Sequence, residues 1–192
     1  EMITWLPAPF RLSTEERGRM LAKRWTARLP ESYKAAVAPA AGADDIAAFE
    51  RLFTGGRSFH VNLRNEPDAL TRIGLYRVGG KVELSQAMPM LEHLGLRVVE
   101  ERPTRLAGGE GETWLQDFGV LGPTDLPLDL EECGERLARS IAAVWSGEAE
   151  SDSLNRLVIT AGLDWRRVAI LRAYRSYRQR IGSRFTEGYQ ND

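Results

Sequence analysis

The middle of the chain switches repeatedly between the two-residue period of β-strands and the longer period of helices, and this order restricts the fold more than any other feature. Phe59, Val61 and Leu63 alternate with polar residues, which predicts a half-buried strand. A turn at residues 65–68 then leads into a second predicted strand from Arg72 to Val78. Two consecutive strands with so short a connection are expected to pair antiparallel.

A helix is predicted next, followed by two more strands. Ser85 is expected to cap the helix, Pro89 to lie in its first turn and Gly95 to end it. The apolar face of this helix is predicted to consist of Met88, Leu91 and Leu94. The strands are predicted at 96–106 and 112–120, joined by a glycine-rich hairpin turn at 108–111.

A second long helix, from Asp129 to Trp145, completes this region. Its apolar positions recur at helical spacing: Leu130, Cys133, Leu137, Ile141 and Val144. The order β-β-α-β-β-α equals the ferredoxin-like order β-α-β-β-α-β with the last strand moved to the front. The sequence therefore predicts an α+β fold: a four-stranded antiparallel sheet with helices on one face, flanked by helical segments.

Both flanks are predicted to be helical. At the beginning, Ser13 and Glu16 fit a capping box, and a further helix is expected from Asp44 to Phe53. The first helix has an apolar face formed by Leu21, Trp25 and Leu29. The apolar face of the second consists of Ile46, Phe49, Leu52 and Phe53. We therefore predict three parts: a helical segment at 1–55, an α+β domain at 56–147 and a helical segment at 148–192.

The C-terminal part is predicted to contain helices at 151–161 and 165–181, separated by Gly162. The buried side of the longer helix is predicted to be Ile170, Tyr174, Tyr177 and Ile181. A core is expected between the sheet and its two central helices, formed by Ile73, Leu75, Met88, Leu91, Leu94, Val98, Trp114 and Phe118. Arg72, Tyr76 and Arg77 would leave the second face of the sheet only partly polar, so this face is expected to need a partner.

The composition excludes several classes of site. A net charge of −1 gives no general attraction to nucleic acid, and no apolar run is long enough to span a bilayer. His60 and His93 have no ligand-spaced partners, and the single Cys133 is expected to be a buried apolar residue. Glu100, Glu101 and Asp117 are interpreted as salt-bridged or solvated strand ends. The 108–111 turn lacks the Lys-Ser/Thr of a phosphate-binding loop.

The charges of the last third are separated along the sequence. Residues 165–186 contain seven arginines and no acid, whereas residues 125–152 contain eight acids and two arginines. This pattern favours pairing within the chain or with a neighbouring domain. Nucleic-acid binding by the basic helix is the alternative, which salt-dependent retention on nucleic acid would test.

Two ordered blocks of sequence carry a family resemblance. The first runs from Leu84 to Val98, continues as Glu101-Arg102-Pro103, and is followed by Trp114 and Asp117-Phe118. The second runs from Trp145 through 147–150, 155–158 and 161–163 into the helix at 165–179. They resemble the third ACT-like region of the large bacterial NAD-specific glutamate dehydrogenases and the helices that follow it. Thr104 and Gln116 depart from the pattern, where an aromatic residue and a histidine are expected.

The resemblance implies an internal, non-catalytic piece of a longer enzyme. The parent would oxidise L-glutamate to 2-oxoglutarate and ammonia with NAD, and its catalytic and NAD-binding residues would lie after Asp192. No cofactor or metal is expected within these residues. The implied partners are other domains or subunits of the same cytoplasmic, homo-oligomeric enzyme, without nucleic acid or membrane.

The resemblance also implies a loop that binds an amino-acid effector. ACT domains bind such effectors between a strand and the following helix, which here gives Gly79, Gly80, Leu84 and Ser85. Glycines allow close approach to the backbone, and a helix N-terminus suits a carboxylate; the simpler interpretation is a plain turn. Two other functions stay open, a pure scaffold and a stand-alone amino-acid sensor, and binding of free amino acids separates them.

Overall fold

The four strands and the two helices between and after them follow one another in the predicted order, whereas the helix at Glu31–Ala36 was not predicted. The structure, a computed structural model, describes residues 14–66, 70–108 and 111–181. Its helices are α1 (Thr14–Thr26), α2 (Glu31–Ala36), α3 (Pro39–Thr54), α4 (Leu84–His93), α5 (Leu130–Trp145), α6 (Leu157–Thr160) and α7 (Trp165–Arg180). Its strands are β1 (Phe59–Asn65), β2 (Thr71–Val78), β3 (Arg97–Arg105) and β4 (Thr113–Leu121).

The four strands form one antiparallel sheet in the order β1-β2-β4-β3. This is the order that a ferredoxin-like sheet takes when its last strand is moved to the front of the chain, so the predicted fold class is confirmed. The central strands β2 and β4 are buried over most of their length. Burial of consecutive residues means that both faces of the sheet are covered.

One face of the sheet, called the first face, packs against α4 and α5. Ile73, Leu75 and Phe118 of the strands meet Leu91 of α4 and Leu137 of α5, and all five side chains are fully buried. Leu94 belongs to the same core, and Met88 and Val98 pack at its edge, as predicted. The inclusion of Trp114 was wrong, because this residue is only partly buried and lies outside the cluster.

Two details of α4 differ from the prediction. The helix begins at Leu84 with Glu83 as the residue before it, and no side chain caps it, so Ser85 is the second helical residue. Pro89 is the sixth residue, beyond the first turn; lacking an N–H, it leaves the Ser85 carbonyl without its usual intrahelical donor. The predicted end is confirmed: Gly95 has φ of +81°, and Leu96 N–H donates to the Leu91 carbonyl over 3.2 Å.

The other face, called the second face, is covered by α1, α2 and α3 of the same chain. Trp25 of α1 stacks on Phe49 of α3 with ring centroids 5.1 Å apart, and Phe49 meets Tyr76 of β2 edge-on at 4.9 Å. Leu115 of β4 completes this apolar contact. The second face was expected to need a partner, and helices from this chain supply it. Helix α3 begins five residues earlier than predicted, with Pro39 as its first residue, a favourable position for proline.

The C-terminal part contains two further corrections. In place of one helix at 151–161, the chain forms a short 3-10 turn (Ser153–Arg156) followed by α6. In α7 the predicted buried side was wrong: Val168 and Arg172 are buried, whereas Ile170, Tyr174, Tyr177 and Ile181 are 57–66% exposed.

Several predictions fall on residues outside the described ranges. They concern the capping box at Ser13, the turn at 67–68, the tip of the glycine-rich hairpin at 109–110 and the last arginine, Arg184.

Candidate functional site

A group of buried polar side chains connects the N-terminal helices to the second face of the sheet. Asp45 of α3 is fully buried, and its Oδ1 accepts hydrogen bonds from the Tyr76 hydroxyl at 2.6 Å and from Arg64 Nη1 at 3.0 Å. Its Oδ2 accepts from the Tyr33 hydroxyl of α2. Three donors around one carboxylate satisfy a charge that would otherwise be costly to bury. We call Asp45, Tyr33, Arg64, Tyr76 and Asp117 the Asp45 cluster.

Arg64 extends this cluster across the sheet from β1 to β4. Its Nη2 donates to Asp117 Oδ2 at 2.7 Å, so one guanidinium bridges two carboxylates. Burial raises the pKa of Asp117, and the nearby Arg64 and Arg72 oppose that shift. Burial likewise raises the pKa of the Tyr33 and Tyr76 hydroxyls, reinforced by the Asp45 carboxylate. Both tyrosines therefore act as neutral hydrogen-bond donors.

A second arginine is buried in the same face, next to the Asp45 cluster. Arg72 of β2 has no exposed surface and pairs with Glu66 at 3.0 Å and with Glu100. Arg102 of β3 joins them, 2.9 Å from Glu100. Gly119 of β4 leaves room for this arrangement, since a Cβ there would lie 3.0 Å from Arg72 Nη1. The salt bridges of Glu100 and Asp117 are confirmed, but both residues lie within β3 and β4 and not at strand ends as predicted.

A cleft of about 690 Å³ opens beside these charges. The joint between α2 and α3 (Val37 and Ala38) forms one wall, and Arg64, Glu66 and Arg102 are part of the other. Arg102 in its lining pairs with Glu66 and Glu100, and Arg64 pairs with the buried Asp45 and Asp117. This arrangement holds elements in place and resembles neither a general acid–base pair nor a nucleophile with its base.

The predicted effector loop lies at the opposite side of the sheet from the Asp45 cluster. Gly79 and Gly80 have φ of +95° and +120°, and both N–H groups donate to the Glu112 carbonyl, at 2.8 and 3.1 Å. Leu84 and Ser85 are the first residues of α4, whose hydrogen bonds begin with Gln86 N–H donating to the Glu83 carbonyl. The glycines thus make a turn, while the helix N-terminus remains the part of the loop suited to an anion.

Gln116 holds this loop in place. Its Oε1 accepts from Val82 N–H at 2.7 Å, and its Nε2 donates to the Val82 carbonyl at 2.9 Å and to Glu101 at 2.9 Å. The side chain is fully buried and satisfies both backbone groups of one loop residue. Histidine, which the family resemblance led us to expect here, has no carboxamide and cannot make this pair of bonds to one residue.

The two histidines and the cysteine lie outside the Asp45 cluster. His60 is partly buried, and this burial lowers the pKa of its ring, as do the nearby positive charges of Arg51 and Arg57. His93 Nδ1 lies 2.9 Å from Ser151 Oγ. Cys133 is buried, as predicted, and burial raises the pKa of its thiol. Within the described ranges, no group of three or more potential ligands could hold a metal ion.

Helix α7 is attached to the domain by Val168, which is buried in the apolar core, and by arginines that pair with Asp152. Arg172 Nε and Arg175 Nη2 each lie 2.8 Å from Asp152 Oδ2, and Arg172 Nη2 also donates to Asn155 Oδ1 at 2.6 Å. Burial works against ionisation of Asp152, but the hydrogen bonds from Arg172 outweigh it, so the pKa of Asp152 is lowered. The predicted pairing of acidic and basic stretches is confirmed at Asp152. Glu132 and Glu135 of α5 pair with Arg136 and Arg139 of their own helix.

Comparison with known proteins identifies three consecutive segments. The sequence profile of the third ACT domain of glutamate dehydrogenase matches residues 56–133. The profiles of helical motifs 2 and 3 of glutamate dehydrogenase match residues 13–52 and 149–192.

Curated relatives agree with these profiles. An NAD-specific glutamate dehydrogenase of Halomonas elongata is 32% identical to this chain over 177 residues. A protein of the same name from Mycobacterium tuberculosis is 32% identical over 178 residues. These alignments cover 91% and 90% of this chain. A Pseudomonas aeruginosa relative of the same name is 43% identical over 116 residues, which is 60% of this chain and 7% of the relative. The chain belongs to the NAD-specific glutamate dehydrogenase family. It spans 11% of the length of the first two relatives.

Within this family, the Asp45 cluster lies at the junction of two named parts. Tyr33 and Asp45 belong to helical motif 2, and Arg64, Tyr76 and Asp117 belong to the third ACT domain. The contact of Asp152 with Arg172 and Arg175 lies within helical motif 3. Across the described ranges, no helix has the length and apolar character to cross a membrane.

Sequence reasoning missed the Asp45 cluster, although two signals pointed toward it. The central strands contain Gly74-Leu75-Tyr76 and Gly119-Val120, without the polar alternation of a sheet that faces solvent on one side. Gly74 is also required sterically, because a Cβ there would come within 2.8 Å of the Tyr76 ring. Glycine at such a position indicates close packing over the second face.

Proposed function

We propose that this chain is a regulatory and architectural segment of an NAD-dependent glutamate dehydrogenase. The complete enzyme would convert L-glutamate, NAD and water to 2-oxoglutarate, ammonia and NADH. It would use NAD outside these residues and work as a cytoplasmic homo-oligomer. The three relatives are all NAD-specific glutamate dehydrogenases, which supports the assignment. The segment itself would contact other domains or subunits of the same enzyme.

The observation that carries this proposal is the Asp45 cluster. It joins helical motif 2 to the second face of the ACT sheet through buried, directional bonds: Asp45 to Tyr33, Tyr76 and Arg64, and Arg64 to Asp117. Such bonds fix orientation as well as contact, because each donor must meet its acceptor along a particular direction. A domain joined in this way moves together with its helices and can transmit a displacement between other parts of the enzyme.

The complete enzyme provides the test. Asp45→Asn removes the charge that Arg64, Tyr33 and Tyr76 surround, while Asp44→Asn alters an exposed carboxylate on the same helix. We expect Asp45→Asn to lower the temperature of thermal inactivation and to expose residues 26–59 to limited proteolysis, with Asp44→Asn resembling wild type. Equal behaviour of the two variants would contradict an architectural role for the cluster.

Activity of the isolated chain is the second test of the assignment. The chain contains only three lysines, Lys23, Lys34 and Lys81, too few and too scattered in sequence to form the lysine set of the catalytic domain. We therefore expect no reduction of NAD by glutamate in purified material. Protein-dependent formation of NADH that follows the chain through purification would overturn the non-catalytic assignment.

A second candidate function is effector sensing at Gly79, Gly80, Leu84 and Ser85. The observation that favours it is the N-terminus of α4, where the N–H groups of Leu84 and Ser85 precede the first hydrogen bond of the helix. Titration of the ¹⁵N-labelled chain with free amino acids would test it. Shifts confined to 79–85 and to the neighbouring Glu112 support the sensor, and uniform absence of shifts supports the scaffold.

A further inference from the structure

Helix α7 presents an apolar face to solvent. Ile170, Tyr174, Tyr177 and Ile181 are between 57% and 66% exposed. The first three lie within α7, and Ile181 directly follows its last residue. At about 100° per residue, these four positions fall within a sector of about 60° on the helix surface. We call this set the apolar stripe of α7.

The opposite side of the same helix, which carries one valine and two arginines, packs on the domain. Val168, Arg172 and Arg175 lie opposite the apolar stripe, and Arg172 and Arg175 bind Asp152. Their side chains are only 7% and 15% exposed. Surface helices usually bury their apolar side. Here ion pairs hold the helix in the reverse orientation, so the apolar stripe is directed away from the chain's own core.

The spacing of the apolar stripe fits a partner helix. Its members follow one another in steps of four, three and four residues, the spacing at which two helices interlock side chains along a common seam. Arg166 and Arg178 border the stripe and are exposed. Because α7 contains no acidic residue, pairing of two α7 helices would bring arginines together. The complementary surface therefore carries acids beside its apolar residues.

We infer that the apolar stripe of α7 is the docking surface for an acid-edged amphipathic helix from another part of the same polypeptide. The inference rests on the proposed function, since the relatives are far longer than the 11% that this chain matches. A seam of only two to three turns is too short to hold separate molecules together. A tethered partner forms the same contact because its effective concentration is high.

Photo-crosslinking in the complete polypeptide tests this inference. A benzophenone amino acid replaces Tyr174 within the stripe, and in a matched control it replaces Ser176, which is exposed on a different side of the helix. We expect irradiation to give an intramolecular crosslink from position 174 to a helix outside residues 1–192, with acids beside its apolar residues. Position 176 should give no crosslink to that helix.

Several outcomes would overturn the inference: a crosslink to α7 of a second copy, to another part of these 192 residues, or to no protein at all. A second measurement uses Tyr177→Glu. It should leave the unfolding midpoint of this chain unchanged, because Tyr177 is 63% exposed, and should lower that of the complete enzyme. Equal effects on both would also contradict a docked stripe.

Failure of the proposed function would show differently. A complete polypeptide that does not reduce NAD with glutamate would refute the enzyme assignment. The docking inference would still be decided by the crosslink from position 174.

Discussion

The two faces of the sheet are covered by helices from the same chain but are joined to them by different forces. On the first face, Leu75, Phe118, Leu91 and Leu137 make an apolar core. On the second face, an apolar half around Trp25 adjoins a half in which arginines and carboxylates are buried. Apolar contacts stabilise in proportion to area and have little direction, whereas buried ion pairs tolerate few geometries. The first face thus mainly provides stability, and the second also fixes orientation.

The largest expected effect comes from removing the central carboxylate of the second face. Asp45→Ala leaves Arg64, Tyr33 and Tyr76 without their shared acceptor, and breaking a buried pair typically costs about 3–5 kcal/mol. Chemical denaturation measures the loss, with Asp44→Ala as the exposed control. If Asp45→Ala lowers the free energy of unfolding no more than Asp44→Ala does, water replaces the carboxylate. The second face would then depend on its ion pairs less than the contacts indicate.

The first face should respond to loss of volume. Leu91 is fully buried between α4 and the sheet, so Leu91→Ala is expected to lower the free energy of unfolding by about 2–5 kcal/mol. Leu84→Ala on the same helix is the control, because Leu84 is 43% exposed. An unchanged unfolding midpoint for Leu91→Ala would mean that α4 does not pack as described.

Gln116 allows one buried polar contact on the first face to be tested. Gln116→Ala leaves both backbone groups of Val82 without a partner in a buried site, which is expected to cost about 1–3 kcal/mol. Hydrogen exchange of the Val82 amide should accelerate more than that of core amides in β2. Exchange that stays slow would show that the loop is held by other contacts.

The smallest effects concern pH, and two carboxylates should act with opposite signs. The folded-state pKa of Asp152 is lowered, so its contribution to stability is present above the ordinary carboxyl pKa of about 4 and is lost as the pH falls through the folded value. The folded-state pKa of Asp117 is raised, so its contribution is fullest at low pH and declines as the pH rises toward the folded value.

Asparagine variants separate these two contributions. Asp152→Asn should flatten the acid side of the profile of unfolding free energy against pH, and Asp117→Asn should make that side steeper. Slopes that change in the same direction for both would show that one of the two pKa directions is wrong.

Periodicity predicted the first face because its interactions repeat along the sequence. Alternation in β1 and the Leu130–Leu137–Ile141 spacing in α5 are local signals, and both elements formed where expected. The Asp45 cluster gave no such signal: its members come from five elements, and 12 to 53 residues separate the bonded pairs. In α7 the apolar spacing was detected, but it led to the wrong side. Periodicity shows which residues share a face, whereas the ion pairs of Asp152 decide which face turns inward.

One irregularity in β3 has a consequence for how this part of the chain tolerates change. Val98 pairs with Val120 and Glu100 with Gly119, so Val99 is an extra residue that forms a β-bulge. The bulge reverses the alternation of β3: Val98 faces α4 and α5, and Glu100, two positions later, reaches Arg72 on the opposite face. Val99 itself is 50% exposed. Its side chain should therefore be freely exchangeable. Deletion of Val99 should also be tolerated, because Val98 would still pair with Val120 and Glu100 with Gly119, which keeps Glu100 on the face of Arg72.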